Sequence, residues 1–174
     1  HHTVKMNRHS LALSAMMLFC VFVESEGACA PYWTQFKNNC FRYFGTPFLN
    51  WEGAKIECEK HASRLAVIHG EQENTFIYNL WNSSRDEIRV DRYPWANYVS
   101  IVYIGLSDTN GDGQYEWVNN SPLTYVNWGK EQPSGGAENA VSIWDWPEQE
   151  GTWNDVNGKS DVFTGPFICK MRAT

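Results

Sequence analysis

The stretch VNWGKEQPSGGAENAVSIWDWPEQEGTWNDVNG, residues 126–158, decides how the chain is read. It alternates between strand-like tryptophan runs and a polar segment, KEQPSGGAEN, at 130–139. Gln132, Ser134, Glu138, Asn139, Asn154 and Asp155 lie close in sequence, and all carry side-chain oxygens. Ca²⁺ takes six to eight oxygen ligands from carboxylates, amide carbonyls and backbone carbonyls. Pro133 can fix the loop, through a cis bond if it forms one, and the glycines let the backbone fold tightly. Two readings stand at this point: a solvated polar loop, or one wall of a calcium cage.

Working outward, the C-terminal half continues the same texture. SIVYIGL, GQYEWV, LTYVNW, AVSIWDW, GTWNDV and GPFICKM read as short strands separated by Gly, Asn, Asp and Pro. The N-terminal half is different. NCFRYF (39–44) reads as a strand. Asn50 is placed to cap a helix over WEGAKIECEKH, with Trp51, Ala54, Ile56 and Cys58 on its apolar side. ASRLAVI is a short buried connection, and residues 70–82 form a second helix with Phe76, Ile77, Leu80 and Trp81 inward. The charged segment 83–98, which contains Pro94, reads as an exposed loop. Two helices followed by a β-rich, loop-rich half argue for an α+β fold in a single domain.

Residues 1–27 are set apart. A basic region around Arg8 precedes an apolar run from Leu11 to Val23, then small residues at Ser25 and Gly27. This is the pattern of a secretory signal peptide, and the run is short of the ~20 residues that span a bilayer. HHTVK before Met6 reads as upstream sequence. The expectation is a domain over 28–174, exported and not inserted in a membrane. Export agrees with the cysteines. Cys20 falls in the leader, and Cys29, Cys40, Cys58 and Cys169 remain, an even number that reads as disulfides with three possible connectivities. Cys29 and Cys40 flank a short hairpin-like stretch, which makes Cys29–Cys40 natural and leaves Cys58–Cys169. The net charge of −6 argues against nucleic acid and anionic membrane surfaces.

SDTNGDGQYEW (107–117) carries Asp108, Asn110, Asp112 and Gly113, the first half of an EF-hand loop. The twelfth position is Asn119, where a bidentate glutamate is required, and no long helix precedes Asp108. A turn-rich hairpin is the plain reading. Asn82-Ser-Ser and Asn119-Asn-Ser fit the N-glycosylation pattern. No nucleophile–base set, metal–water motif or phosphate loop is recognisable, and His61 and His69 lie far in sequence from the polar loop, so the expectation is a binding protein and not an enzyme.

Several motifs in order carry a family resemblance: the Cys29/Cys40 pair, Cys58 in the first helix, YIGL at 103–106, NW at 127–128, QPS at 132–134, WND at 153–155 and FICK at 167–170. From about Cys29 to Met171 the chain resembles a secreted C-type lectin domain. The resemblance implies a double-loop fold, two helices with small antiparallel sheets, and a long loop region that binds Ca²⁺. It implies direct recognition, in which vicinal sugar hydroxyls coordinate the ion and hydrogen-bond its ligands. By position, the principal site falls on Gln132, Ser134, Glu138, Asn154 and Asp155, and an auxiliary ion site on Asp108, Asp112, Glu138 and Asn139.

This chain departs from the family pattern in three places. The mannose-type motif is Glu-Pro-Asn and the galactose-type motif Gln-Pro-Asp; here it is Gln132-Pro133-Ser134. Two carboxylates remain at the principal site, Glu138 and Asp155, and fewer charged ligands weaken calcium binding. Gln132 tilts the expectation toward galactose-type glycans. The family's inner disulfide is absent, its cysteines aligning with Ala140 and Gly158. Finally, WDWPEQE lengthens a hairpin, where Trp146 is a candidate to stack on a sugar ring and Trp128, Trp117 and Trp153 are core residues. The implied function is a secreted lectin recognising microbial or self glycans, as in innate immunity. A non-covalent homo-oligomer would supply avidity. The alternative is a protein-binding or mineral-matrix member of the same fold.

Overall fold

The computed structural model describes residues 27–85, 101–161 and 163–174. The leader with Cys20, and residues 86–100, which include 86–98 of the segment expected as an exposed loop, lie outside them. Along the chain come β1 (Thr34–Phe36), β2 (Asn39–Leu49), α1 (Trp51–Lys60), β3 (Arg64–Leu65), α2 (Glu71–Ser84), β4 (Ile101–Ser107), β5 (Glu116–Trp117), β6 (Ala140–Trp144), β7 (Trp153–Val156) and β8 (Gly165–Arg172). The strands join in the order β1-β2-β8-β4-β6-β7, with β3 on β8 and β5 on β4. All described pairings are antiparallel except β4 with β8, where Tyr103 faces Phe167 in parallel. That one contact joins a terminal layer, β1-β2-β8, to a loop-bearing layer, β4-β6-β7. Both helices precede the loop-bearing strands, so the fold is α+β.

Asn50 does cap α1: its side-chain oxygen accepts from the Gly53 N–H at 2.9 Å, satisfying a donor with no partner inside the helix. The helix packs through Trp51, Ala54 and Cys58, spaced i, i+3, i+7. Ile56 is 48% exposed, which corrects its assignment to the apolar side. At 3.6 residues per turn it sits ~140° around from Trp51. Trp51 also donates its indole N–H to the Ile104 carbonyl at 2.8 Å, tying α1 to β4. On α2, Ile77 and Trp81 are buried and Phe76 and Leu80 pack at the core's edge. The helix runs to Ser84, taking in Ser83 and Ser84.

Polar groups on α2 are buried as well, each with a partner. Glu73 pairs with Lys170 of β8 at 2.6 Å and accepts from the His69 N–H. Asn74 accepts from the Trp153 indole and donates to the Gly151 carbonyl. Gly105, the glycine of YIGL, sits where β3 crosses β4: a Cβ there would meet the Leu65 carbonyl oxygen at 2.7 Å. The disulfides are Cys29–Cys40 and Cys58–Cys169, the latter linking α1 to β8 across 111 residues. LTYVNW does not form a strand; it touches the sheet through an isolated bridge, Trp128 to Trp153 of β7. Tyr125 and Trp128 serve the core by packing their rings edge-on to Trp153.

Candidate functional site

The site is built where the 127–139 loop folds back onto β7. The loop is pinned at its start, because the Trp153 N–H donates to the Asn127 carbonyl at 2.7 Å and the Gly129 N–H to the Trp153 carbonyl at 2.9 Å. A turn follows, Gln132 N–H to Gly129 carbonyl. The Gln132–Pro133 bond is cis. Gly135 and Gly136 have φ of +73° and +70°, a region that suits glycine. The loop returns to the sheet at Asn139, whose N–H donates to the Val156 carbonyl at 3.0 Å.

Asp155 is the centre of this arrangement. It lies on β7 opposite Val141 and is 0% exposed. A buried carboxylate is costly unless hydrogen-bonded, and this one is fully provided for. Its Oδ1 accepts from the Ser134 N–H at 2.8 Å and the Ser134 hydroxyl at 3.4 Å. Its Oδ2 accepts from the Gly135 N–H at 2.7 Å and the Tyr115 hydroxyl at 2.8 Å. The Ser134 hydroxyl also contacts Glu138 Oε2, and Gln132 Oε1 accepts from the Ser134 N–H. Gln132, Ser134, Glu138 and Asp155 thus form one connected cluster. Asn154 precedes Asp155 on β7, partly exposed, its side-chain amide without a hydrogen-bond partner among the described residues.

Tyr115 was not visible as a site residue in the sequence. It looked like one more aromatic in a strand, GQYEWV. In the fold it stands just before β5 with Trp128 edge-on at 5.0 Å, and its hydroxyl reaches Asp155 and, at 3.4 Å, the Glu138 carbonyl. Burial and then the hydrogen bond and charge of Asp155 push its phenol pKa strongly upward, with Asp108 and Glu138 adding to the effect. It therefore stays a neutral donor.

The four residues of the expected auxiliary site are placed differently. Asp108 is buried and closes its own turn, accepting from Gly111 and Asp112 N–H groups at Oδ1 and from Gly113 N–H at Oδ2. Asp112 accepts from the Gln114 N–H. Asn139 meets Asp108 through its backbone carbonyl, while its side-chain oxygen turns to the Gly158 N–H at 3.1 Å. Glu138 belongs to the Asp155 cluster. Among the described residues no three His, Cys, Asp or Glu side chains gather in a metal-holding group.

Trp146, 54% exposed, stacks on Trp144 with centroids 6.1 Å apart. Trp144 is itself tied down, its indole N–H donating to Thr152 at 2.7 Å. Between them Asp145 accepts from Tyr78 at 2.7 Å and pairs with Arg85, whose guanidinium lies over Trp81. Burial and that hydrogen bond raise Tyr78 to about 12. The lengthened hairpin is therefore anchored to α2, with one indole presented to solvent. Of the two sequons, Asn119 is exposed in a turn, its side-chain oxygen accepting from the Ser121 N–H and hydroxyl, and Asn82 lies partly buried in the last turns of α2.

The chain matches the family described as the lectin C-type domain over residues 48–171. It is 28% identical over 157 residues to mouse C-type mannose receptor 2, covering 88% of this chain but only 9% of that protein. It is 28% identical over 149 residues to an alpha-N-acetylgalactosamine-specific lectin of Patiria pectinifera, covering 83% of this chain and 80% of that one. Among solved structures it superposes on the C-type carbohydrate-recognition domain of cow CD23, determined in the presence of a GlcNAc2Man3 oligosaccharide. The TM-score there is 0.65 at 26% identity, over 85% of this chain and 98% of that one. No helix among the described residues is long and apolar enough to cross a membrane. With the fold, the ordered motifs and this match over most of its length, the chain belongs to the C-type lectin domain family.

Proposed function

We propose that this domain is an extracellular, calcium-dependent lectin whose glycan site is the cluster around Asp155. The observation that carries the reading is the convergence of side-chain oxygens from Gln132, Glu138 and the buried Asp155 on Ser134. The donors are all hard oxygens and two are carboxylates, which suits Ca²⁺. Gln132, Ser134, Glu138, Asn154 and Asp155 would hold the ion, with Asp108, Asp112 and Asn139 lending charge and carbonyls nearby. A bound Ca²⁺ supplies a coordination point for two neighbouring sugar hydroxyls. The free amide of Asn154 and the Gln132 side chain then orient those hydroxyls by donating and accepting hydrogen bonds. Trp146 offers an indole face for the apolar side of a second ring. Gln132 in the first motif position favours galactose-type over mannose-type glycans. A relative named for N-acetylgalactosamine agrees with that choice, and one named for mannose does not. Two disulfides suit an oxidising, extracellular setting, with Asn82 and Asn119 as glycosylation positions and a homo-oligomer as the source of avidity.

A second reading has its own observation. Asp155 is buried and accepts hydrogen bonds from Ser134, Gly135 and Tyr115, so protein donors take up most of its acceptor positions. That favours a protein-binding or mineral-matrix role for the fold. Retention of the domain on galactose and mannose resins separates the readings. Galactose retention released by EDTA supports the lectin; retention on mannose keeps the lectin and overturns the galactose preference. No retention on either, with thermal stability unchanged by Ca²⁺, favours the second reading.

A further inference from the structure

We infer that Tyr115 is a latch that competes with Ca²⁺ for Asp155 and so sets the calcium level at which the site fills. The inference rests on the calcium reading above and adds a residue that the family motifs do not contain. Each carboxylate oxygen offers about two acceptor positions, and on Asp155 Oδ2 both are engaged, by the Gly135 N–H and the Tyr115 hydroxyl. The donors are not equivalent. Two are the backbone N–H groups of Ser134 and Gly135, which hold the loop in the shape that presents Gln132 and Ser134. The Ser134 hydroxyl is long at 3.4 Å and also contacts Glu138. Tyr115 is the remaining donor, and it comes from outside the loop, from the turn before β5.

For Oδ2 to accept a cation without dismantling the loop, the donor that must leave is the Tyr115 hydroxyl. The structure gives it somewhere to go. The Glu138 carbonyl lies 3.4 Å from the same hydroxyl, so a rotation about the C–O bond and a small approach exchange one acceptor for another. The ring need not move, held as it is by Trp128 at 5.0 Å. The hydroxyl stabilises a buried anion, and a hydrogen bond to a charged group is among the stronger ones. That stabilisation is what calcium binding must overcome.

Removing the hydroxyl should lower stability and raise calcium affinity. In Tyr115→Phe, the metal-free domain should melt at a lower temperature, because Asp155 loses a donor. Its Ca²⁺ dissociation constant, by calorimetric titration with calcium chloride alone, should fall by ~10-fold. A residue that only supported the loop would weaken both. If the wild type binds Ca²⁺ and Tyr115→Phe binds it equally or more weakly, the latch is wrong while the calcium site stands. If neither protein binds Ca²⁺ at ~10 mM, well above the range of weak extracellular sites, the calcium reading fails and takes the latch with it. Should the variant not fold, ring-labelled tyrosine in the wild type decides the matter. Ca²⁺ must shift the Tyr115 resonance, and an unmoved resonance overturns the proposal.

Discussion

The two halves of the sheet are held by different forces. The terminal layer of β1, β2 and β8, with α1, contains both disulfides, and Cys40, Cys58 and Cys169 are fully buried there. The loop-bearing layer of β4, β6 and β7 has no crosslink among the described residues. Its loops are closed by side chains acting on backbone: Asp108 on its own turn, Asn139 on Gly158, Gln149 on Lys130, and Asp155 on Ser134 and Gly135. A Cβ built on Gly158 would lie 2.3 Å from the Ala140 Cβ, closer than the ~3.5–4.5 Å of a disulfide. The turn after β7 packs directly on β6 there, and the Asn139 side-chain oxygen accepts from the Gly158 N–H. One half is fixed by covalent geometry, and the other by charge and hydrogen bonding that a ligand can rearrange.

That contrast can be broken from either side, and the covalent side should give the larger effect. Replacing Cys58 and Cys169 together by alanine releases a closure of 111 residues. Chain entropy puts the loss at ~4–5 kcal/mol, to be read from urea unfolding. Asp155→Asn should cost ~2–3 kcal/mol, since the amide offers donors toward groups that are themselves donors. It should also abolish EDTA-sensitive glycan retention. Gly158→Ala is the crossing point, because the added Cβ meets Ala140 of β6 and, at 3.0 Å, the Trp51 Cβ of α1. Overpacking of this kind should cost ~2 kcal/mol and lower the melting temperature with the disulfides intact. Trp146→Ala should be nearly silent in stability, within ~0.5 kcal/mol, while weakening affinity for an oligosaccharide more than for a monosaccharide.

The same division explains what could be read in advance. The crosslinked half follows local rules: a capping Asn50, an i, i+3, i+7 stripe at Trp51, Ala54 and Cys58, and an even set of cysteines. Ile56 was misplaced because apolar character was weighed without its angle around the helix. In the loop half the residue types were legible and their partners were not. Gln132, Ser134, Glu138 and Asp155 could be grouped by kind, but the hydroxyl that completes Asp155 comes from Tyr115, forty residues earlier. Asp108 and Asn139 were oxygen donors on paper; in the fold each is engaged by a nearby N–H group. LTYVNW had strand composition but meets β7 only through an isolated bridge, and its aromatics pack on Trp153.

The central claim is that the loop half is a polar assembly around Asp155 that calcium can occupy while the disulfide half stays unchanged. Hydrogen exchange of the wild-type domain, with Ca²⁺ and with EDTA, tests it most directly. The account predicts that Ca²⁺ raises protection at residues 130–139 and 153–156 and leaves β2 and β8 unaltered. Equal exchange in both conditions throughout 130–139 would contradict it.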